Sequence, residues 1–185
     1  FDFEGERINV KSFKVPNLIN QVVYNFFRKS KAQRSFEYAS NLLSLDIGTP
    51  TPIAFYERPT VLLFKKSYYI SQHLNCDLTY RELTTNLEYP DSEQIIRAFT
   101  RFTFDLHEKG VNFLDHSPGN TLITKTNDTY DFSLVDLNRM KFGEMDFKTR
   151  ITNFAKLTIH KSIIKRMSDE YAKLIHAEYD KVFDL

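Results

Sequence analysis

Tryptophan is absent, only one cysteine is present, and the basic and acidic residues nearly cancel. No apolar run approaches the roughly twenty residues of a membrane-spanning helix. Each shortage excludes something. A lone cysteine, Cys76, permits no internal disulfide and fits a reducing compartment; it reads as a packing residue. Twenty-five Lys and Arg against 24 Asp and Glu give no whole-chain electrostatic reason for a polyanionic partner, so nucleic acid is not expected. No charged-then-apolar leader precedes a small-residue cleavage site. A soluble, cytoplasmic protein is therefore expected.

What is present is aromatic. Seventeen Phe, ten Tyr and a charged fraction of 26% describe a globular chain with a large aromatic core rather than a disordered one. A chain of 185 residues is one ordinary domain or two small lobes, and it buries roughly 70% of its unfolded surface without a staple. No repeat or low-complexity segment occurs. Locally the charge balance shifts. Arg28, Lys29, Lys31 and Arg34 follow the apolar-aromatic "LINQVVYNFF". That run reads as a solvated helix start, with contact to an anionic membrane surface through Tyr24 to Arg34 as the alternative.

Along the chain, "FDFEGERINVKSF" alternates on both sides of Glu4 and Gly5 and predicts a hairpin ending near Lys11. Ile8 and Val10 point to one face and Lys11 to the other, less apolar one. Phe36, Ala39 and Leu43 recur at helical spacing between Ala32 and Leu45, with Glu37 on that helix and Gly48 and Pro50 as its stop. "PIAFYE" and "VLLFKKSYYI" predict two more strands. A crossover near Ser71 to Asp77 and a short helix in "DLTYRELTTNL" come next. A long helix carries Ile95, Ile96, Phe99, Phe102 and Leu106, is opened by a capping box of Asp91 and Gln94, and is closed by Gly110. "NTLITKTNDTYDFSLVDLN" predicts a second hairpin turning at Asn127 and Asp128, and the remainder is helical, striped by Ile164, Met167, Tyr171, Leu174 and Ile175.

Between the long helix and the second hairpin lies "FLDHSPGN", residues Phe113 to Asn120. A corner needs the Pro and Gly. It does not need an acid and an amide five apart, at Asp115 and Asn120, with a further acid, Asp136, beyond the hairpin. Alone, Asp115 reads as a turn or capping residue; with Asn120 and Asp136 it forms a set of polar groups that a turn does not account for. His116 reads as a loop-stabilising residue, with contact to an acceptor or phosphate as the alternative. His73, His107, His160 and His176 show no zinc spacing and read as surface or helix-end residues.

The order and spacing resemble the protein-kinase-like fold, in which a loop of the form H-R-D-x-x-x-x-N precedes a hairpin and then D-F-G. Here the corresponding residues are Phe113-Leu114-Asp115, Asn120 and Asp136-Leu137-Asn138. The His and Arg of the first triplet and the Gly of the second are missing. "DHSPGN" followed by "VDLNRMKF", with "RKSKAQRSFEYASNLLSLDIGTPTPIAFYE" before them, is similar to the bacterial lipopolysaccharide core kinase family, which phosphorylates Kdo or heptose sugars. The resemblance runs from about Ile8 to Phe142.

It implies an α+β, two-lobed fold, with residues 1–71 as a small sheet and one helix and residues 72–185 as a mainly helical lobe, together one kinase-like domain. ATP would bind in the cleft between the lobes, its adenine near Ser71, Gln72 and His73. Asp115 would be the catalytic base, and Asn120 and Asp136 would hold Mg²⁺ against the phosphates. Lys11 would contact the α- and β-phosphates, oriented by Glu37, with Lys14 as its competitor. The acceptor implied is a lipopolysaccharide core sugar, met by a protein that is cytoplasmic or peripheral at the inner membrane face. Aminoglycoside-type or protein-directed transfer, and a catalytically silent binding module, are the alternatives. The family's glycine-rich hairpin does not precede Lys11, so a truncated chain is expected.

Overall fold

Two left-handed residues close the first hairpin. In the computed structural model, which describes residues 1–14, 29–59 and 64–184, β1 (Asp2–Phe3) and β2 (Glu6–Phe13) are joined by Glu4 and Gly5. Their φ values are 50° and 83°, the pair of positive values that lets a two-residue loop match the twist of its strands. β2 pairs antiparallel with β4 (Phe64–Gln72), and β4 with β3 (Pro52–Pro59), giving the order β1-β2-β4-β3.

Lys11 lies opposite Tyr69, and Tyr69 opposite Phe55. Directly opposed residues, and those two apart, share a face, so Lys11, Phe13, Tyr69 and Phe55 stand together. Helix α1 (Lys31–Ser44) covers this face, with the Phe36 ring 5.5 Å from that of Phe55. Phe13 and Tyr69 are buried, whereas Ile8 and Val10 are only half-buried. The expectation that Lys11 occupies the less apolar side is thus corrected. Alternation within one strand says which residues share a face; the covering helix decides which face is dry.

α1 begins where Ser30 accepts the Gln33 amide at 3.0 Å. It ends at Ser44 with Asp46 left-handed, before the Gly48 and Pro50 that were expected to stop it. Its buried stripe is Ala32, Ser35, Ala39 and Leu42, and Leu43 is exposed. The segment "LINQVVYNFF" and Arg28 lie outside the described residues; Lys29 pairs with Glu37 and Arg34 is buried.

The chain partitions into two compact units: Phe1–Leu74 with Asp136–Arg139, and Asn75–Val135 with Met140–Leu185. The second unit holds a three-stranded sheet of β5 (Leu78–Thr79), β7 (Thr121–Thr126) and β8 (Thr129–Leu134), and a pair formed by β6 (Val111–Phe113) and β9 (Met140–Phe142). Its helices are α2 (Tyr80–Thr85), α3 (Ser92–Glu108), α4 (Phe147–Thr152), α5 (Lys161–Leu174) and α6 (Tyr179–Phe183). Ile95, Ile96 and Phe99 of α3 meet Tyr80, Leu83, Ile123, Phe132, Ile163 and Met167 in one core.

Two local readings change. Asp91 precedes α3 with a left-handed φ of 58° and makes no side-chain cap. Its carboxylate instead takes Lys125 at 3.0 Å and Tyr130 at 3.2 Å, while Gln94 donates to the Asp128 carbonyl. The capping box is at α2, where Thr79 and Glu82 exchange bonds. Cys76, expected in packing, is exposed because it lies in the irregular segment between β4 and β5.

Candidate functional site

In the first unit, Lys11 projects from β2 and its Nζ lies 2.5 Å from Asp136 Oδ1. The Lys11 ammonium also stands 5.4 Å from the centre of the Phe13 ring, and the side chain as a whole is about 38% exposed. Asn138 Nδ2 donates to the same Oδ1 at 2.6 Å. Asp136 is left-handed, with φ of 61°. A non-glycine residue in that region is uncommon, and such residues cluster at functional sites. Leu137 and Asn138 are buried, so this carboxylate is anchored by the two residues on its C-terminal side.

Glu37, expected to orient Lys11, binds elsewhere. Both of its oxygens take Lys29 Nζ at 2.8 Å, and Gln33 Nε2 donates to Oε1 at 3.1 Å. Lys14 comes just after β2 and is exposed; it is Lys11 that forms the ion pair with Asp136. Ser71 is buried, while Gln72 and His73 are exposed. The amides of Gln72 and His73 donate to Thr51 and Arg7 carbonyls, each at 2.9 Å. A nucleotide base could take those two hydrogens only by displacing the carbonyls that already accept them. Tyr69, opposite Lys11, has its phenol pushed up to about 12 by burial against a smaller opposing hydrogen bond from Ser71, which keeps it neutral.

In the second unit, Asp115 lies just beyond β6, and the 3-10 turn Pro118–Asn120 leads into β7. Asn120 Nδ2 donates to the Asp115 backbone carbonyl at 2.8 Å. Its own carbonyl accepts the Val135 amide at 3.0 Å, and its amide donates to Ser117 at 2.9 Å. The carboxamide nitrogen is thereby committed to the loop. Its oxygen is the atom left with coordinating chemistry. Gly119 sits tightly in the same turn, since a Cβ there would come within 2.5 Å of the Arg81 guanidinium.

His116 is buried behind the loop, its Nδ1 3.1 Å from Asn153 Oδ1 and its ring against Phe99 and Phe113. Burial depresses it to about 4. The loop-stabilising reading is the one its contacts support. His107, expected at the surface or a helix end, lies in the last turn of α3 and is buried, with Nδ1 2.7 Å from the Tyr171 hydroxyl and Nε2 3.3 Å from Asn153 Oδ1; burial lowers it to about 3. Sequence reasoning missed Asn153 and Asn138. The only signal for Asn138 was its place two residues after Asp136; Asn153 gave none.

The oxygen donors suit Mg²⁺, a hard cation that keeps several waters and takes few protein ligands beside phosphate. The Asp136 carboxylate in the first unit and the Asn120 carboxamide oxygen in the second are each a donor of that type. Among the described residues no group of three or more His, Cys, Asp or Glu could cage a metal.

Comparison of the whole chain with solved structures finds "WaaP in complex with acyl carrier protein", at a TM-score of 0.68 and 16% identity, covering 98% of this chain and 75% of that one. The chain shares the WaaP fold. The mixed α/β arrangement of small antiparallel sheets and several helices is thus kinase-like. No protein-family description matches the sequence, and no curated protein matches it. No helix among the described residues is long and apolar enough to cross a membrane.

Proposed function

We propose that the protein is an ATP- and Mg²⁺-dependent phosphotransferase acting on a sugar hydroxyl of the lipopolysaccharide inner core, Kdo or heptose. The observation that carries this is the meeting of Lys11 and Asp136 in one compact unit although 125 positions separate them. A cation and a carboxylate so placed are the pair that phosphoryl transfer needs, one for the phosphate oxygens and one for the metal that neutralises them. In this reading Lys11 exchanges its carboxylate for the α- and β-phosphates when nucleotide binds. Asp136 and Asn120 would be the oxygen ligands of Mg²⁺, which would supply neutralisation of the phosphate charge. Asp115 accepts the proton of the attacking hydroxyl. The acceptor class rests on the WaaP-like fold together with the residues around Asp115 and Asp136.

A nucleotide-holding module without turnover is the second reading. It has one observation on its side: Glu37 takes Lys29 rather than Lys11. A thermal-shift titration of the full-length protein with ATP, with and without Mg²⁺, tests both. Metal-dependent stabilisation that is lost in Asp136→Asn is expected for the enzyme. A melting point indifferent to Mg²⁺·ATP would count against nucleotide chemistry altogether. Activity assays with core oligosaccharide and a generic protein substrate then decide the acceptor, and transfer to protein alone would remove the sugar assignment.

A further inference from the structure

Asn153 terminates α4, remote in sequence from Lys11, Asp115, Asn120 and Asp136. Its carboxamide uses all its hydrogen-bonding capacity. Oδ1 faces His107 Nε2 at 3.3 Å and His116 Nδ1 at 3.1 Å. Nδ2 donates to Asn112 Oδ1 at 3.0 Å and to the Phe113 carbonyl at 2.9 Å. A carboxamide has two lone-pair directions and two N–H bonds, so the group is saturated.

That saturation fixes the protonation pattern around it. Because a carbonyl oxygen only accepts, both facing ring nitrogens must donate, which places hydrogen on His107 Nε2 and His116 Nδ1. His107 Nδ1 is then an acceptor and takes the Tyr171 hydroxyl at 2.7 Å. His116 Nε2 keeps a lone pair and is buried with no partner among the described residues. An unpartnered buried acceptor is a cost, and it is retained one residue from Asp115.

The atoms tied to Asn153 bracket Asp115. Asn112 and Phe113 precede it; His116 succeeds it. The interval is closed by Lys156, which donates to the Leu114 carbonyl at 3.1 Å, by the His116 amide on the Phe113 carbonyl at 3.1 Å, and by Asn120 on the Asp115 carbonyl. We propose that Asn153 is the positioning residue of the Asp115 loop, one carboxamide setting the backbone on both sides of the base so that its carboxylate is presented in a single orientation. This rests on the reading of Asp115 as the proton acceptor.

An aspartate at 153 has the same shape but no N–H, so it would turn carboxylate oxygens against Asn112 Oδ1 and the Phe113 carbonyl. Groups that support a reacting residue from behind typically matter about 10- to 100-fold. Asn153→Asp is therefore expected to lower kcat by about that factor, with KM for ATP unchanged within about two-fold. In an Asp115→Asn background it should add no further loss, because the orientation it controls no longer matters. Asn112→Ala, which removes one of the four bonds, should cost only a few-fold and serves if the first variant does not fold.

A readout independent of turnover is the ¹⁵N spectrum of histidine-labelled protein near pH 7. His107 protonated on Nε2 and His116 on Nδ1, both rings neutral, is the expected result. The opposite tautomers, or an Asn153→Asp loss that persists undiminished in Asp115→Asn, or full kcat in folded Asn153→Asp and Asn112→Ala, would each overturn the proposal. If Asp115→Asn alone turns over normally, the base assignment falls and the positioning role with it. Loss in Asp115→Asn but not in the Asn153 variants would remove this inference alone.

Discussion

A buried imidazole pair joined through one amide oxygen should announce itself in solution. His107 and His116 are held below the ordinary histidine value, to about 3 and about 4, chiefly by burial. The unfolded chain binds protons on both below its pKa of about 6.5, while the folded protein resists until much lower pH. Stability is thus unaffected by these groups above about pH 6.5 and falls as pH drops toward 4, by about 1.4 kcal/mol per pH unit for each histidine. The urea midpoint at pH 5 should lie clearly below that at pH 7, and a midpoint unchanged over this range would contradict the neutral, buried pair. At this scale the sequence displays residue types but not partners. Asp115, Asn120 and Asp136 stand out because an acid, an amide and an acid at those spacings exceed what turns require. His107 read as a surface or helix-end residue and does close α3, but its burial depends on Tyr171 and Asn153, 64 and 46 positions away. Glu37 read as the partner of Lys11, yet Lys29, at the start of its own helix, takes both carboxylate oxygens.

Elements were more legible where the backbone itself constrains the sequence. The first hairpin turns at Glu4 and Gly5, and the second at Asn127, each in left-handed geometry that Gly5 and Asn127 tolerate by residue type. Gly110 ends α3 with φ of 68° as expected, but for an added reason. A Cβ there would stand 2.9 Å from the Gly143 carbonyl oxygen, and the Gly143 amide donates back to the Gly110 carbonyl at 2.9 Å. Gly5 has a similar φ with nothing within 4 Å. Gly5→Ala should therefore cost about 1 kcal/mol from strain alone. Gly110→Ala, which adds a clash between backbones, should cost about 2–4 kcal/mol, or several degrees of melting temperature by calorimetry. Equal losses in the two variants would show that the β6–β9 approach is not tight. Capping was less legible. Asp91 and Gln94 fit the pattern for α3 by residue type, but Lys125 and Tyr130 hold the Asp91 carboxylate. The box formed at Thr79 and Glu82, where the Glu82 carboxylate takes both the Thr79 amide and its hydroxyl.

For the molecule as a whole, the order of sheet, helix, long helix, acidic loop, hairpin and acid was readable because each step rests on a local period or turn. The contact that gives the order chemical meaning was not, since Lys11 reaches Asp136 only after β8 returns the chain to the first unit. The central claim is that these side chains serve phosphate transfer to a sugar. Its most direct test is the Mg²⁺-dependent transfer of the γ-phosphate of ATP to a Kdo- or heptose-containing core oligosaccharide by the full-length protein. We expect a sugar phosphate ester as product, with Asp115→Asn reducing turnover about 10²- to 10⁴-fold while nucleotide binding persists. Absence of the ester under saturating Mg²⁺·ATP, or its undiminished formation by Asp115→Asn, would contradict that claim.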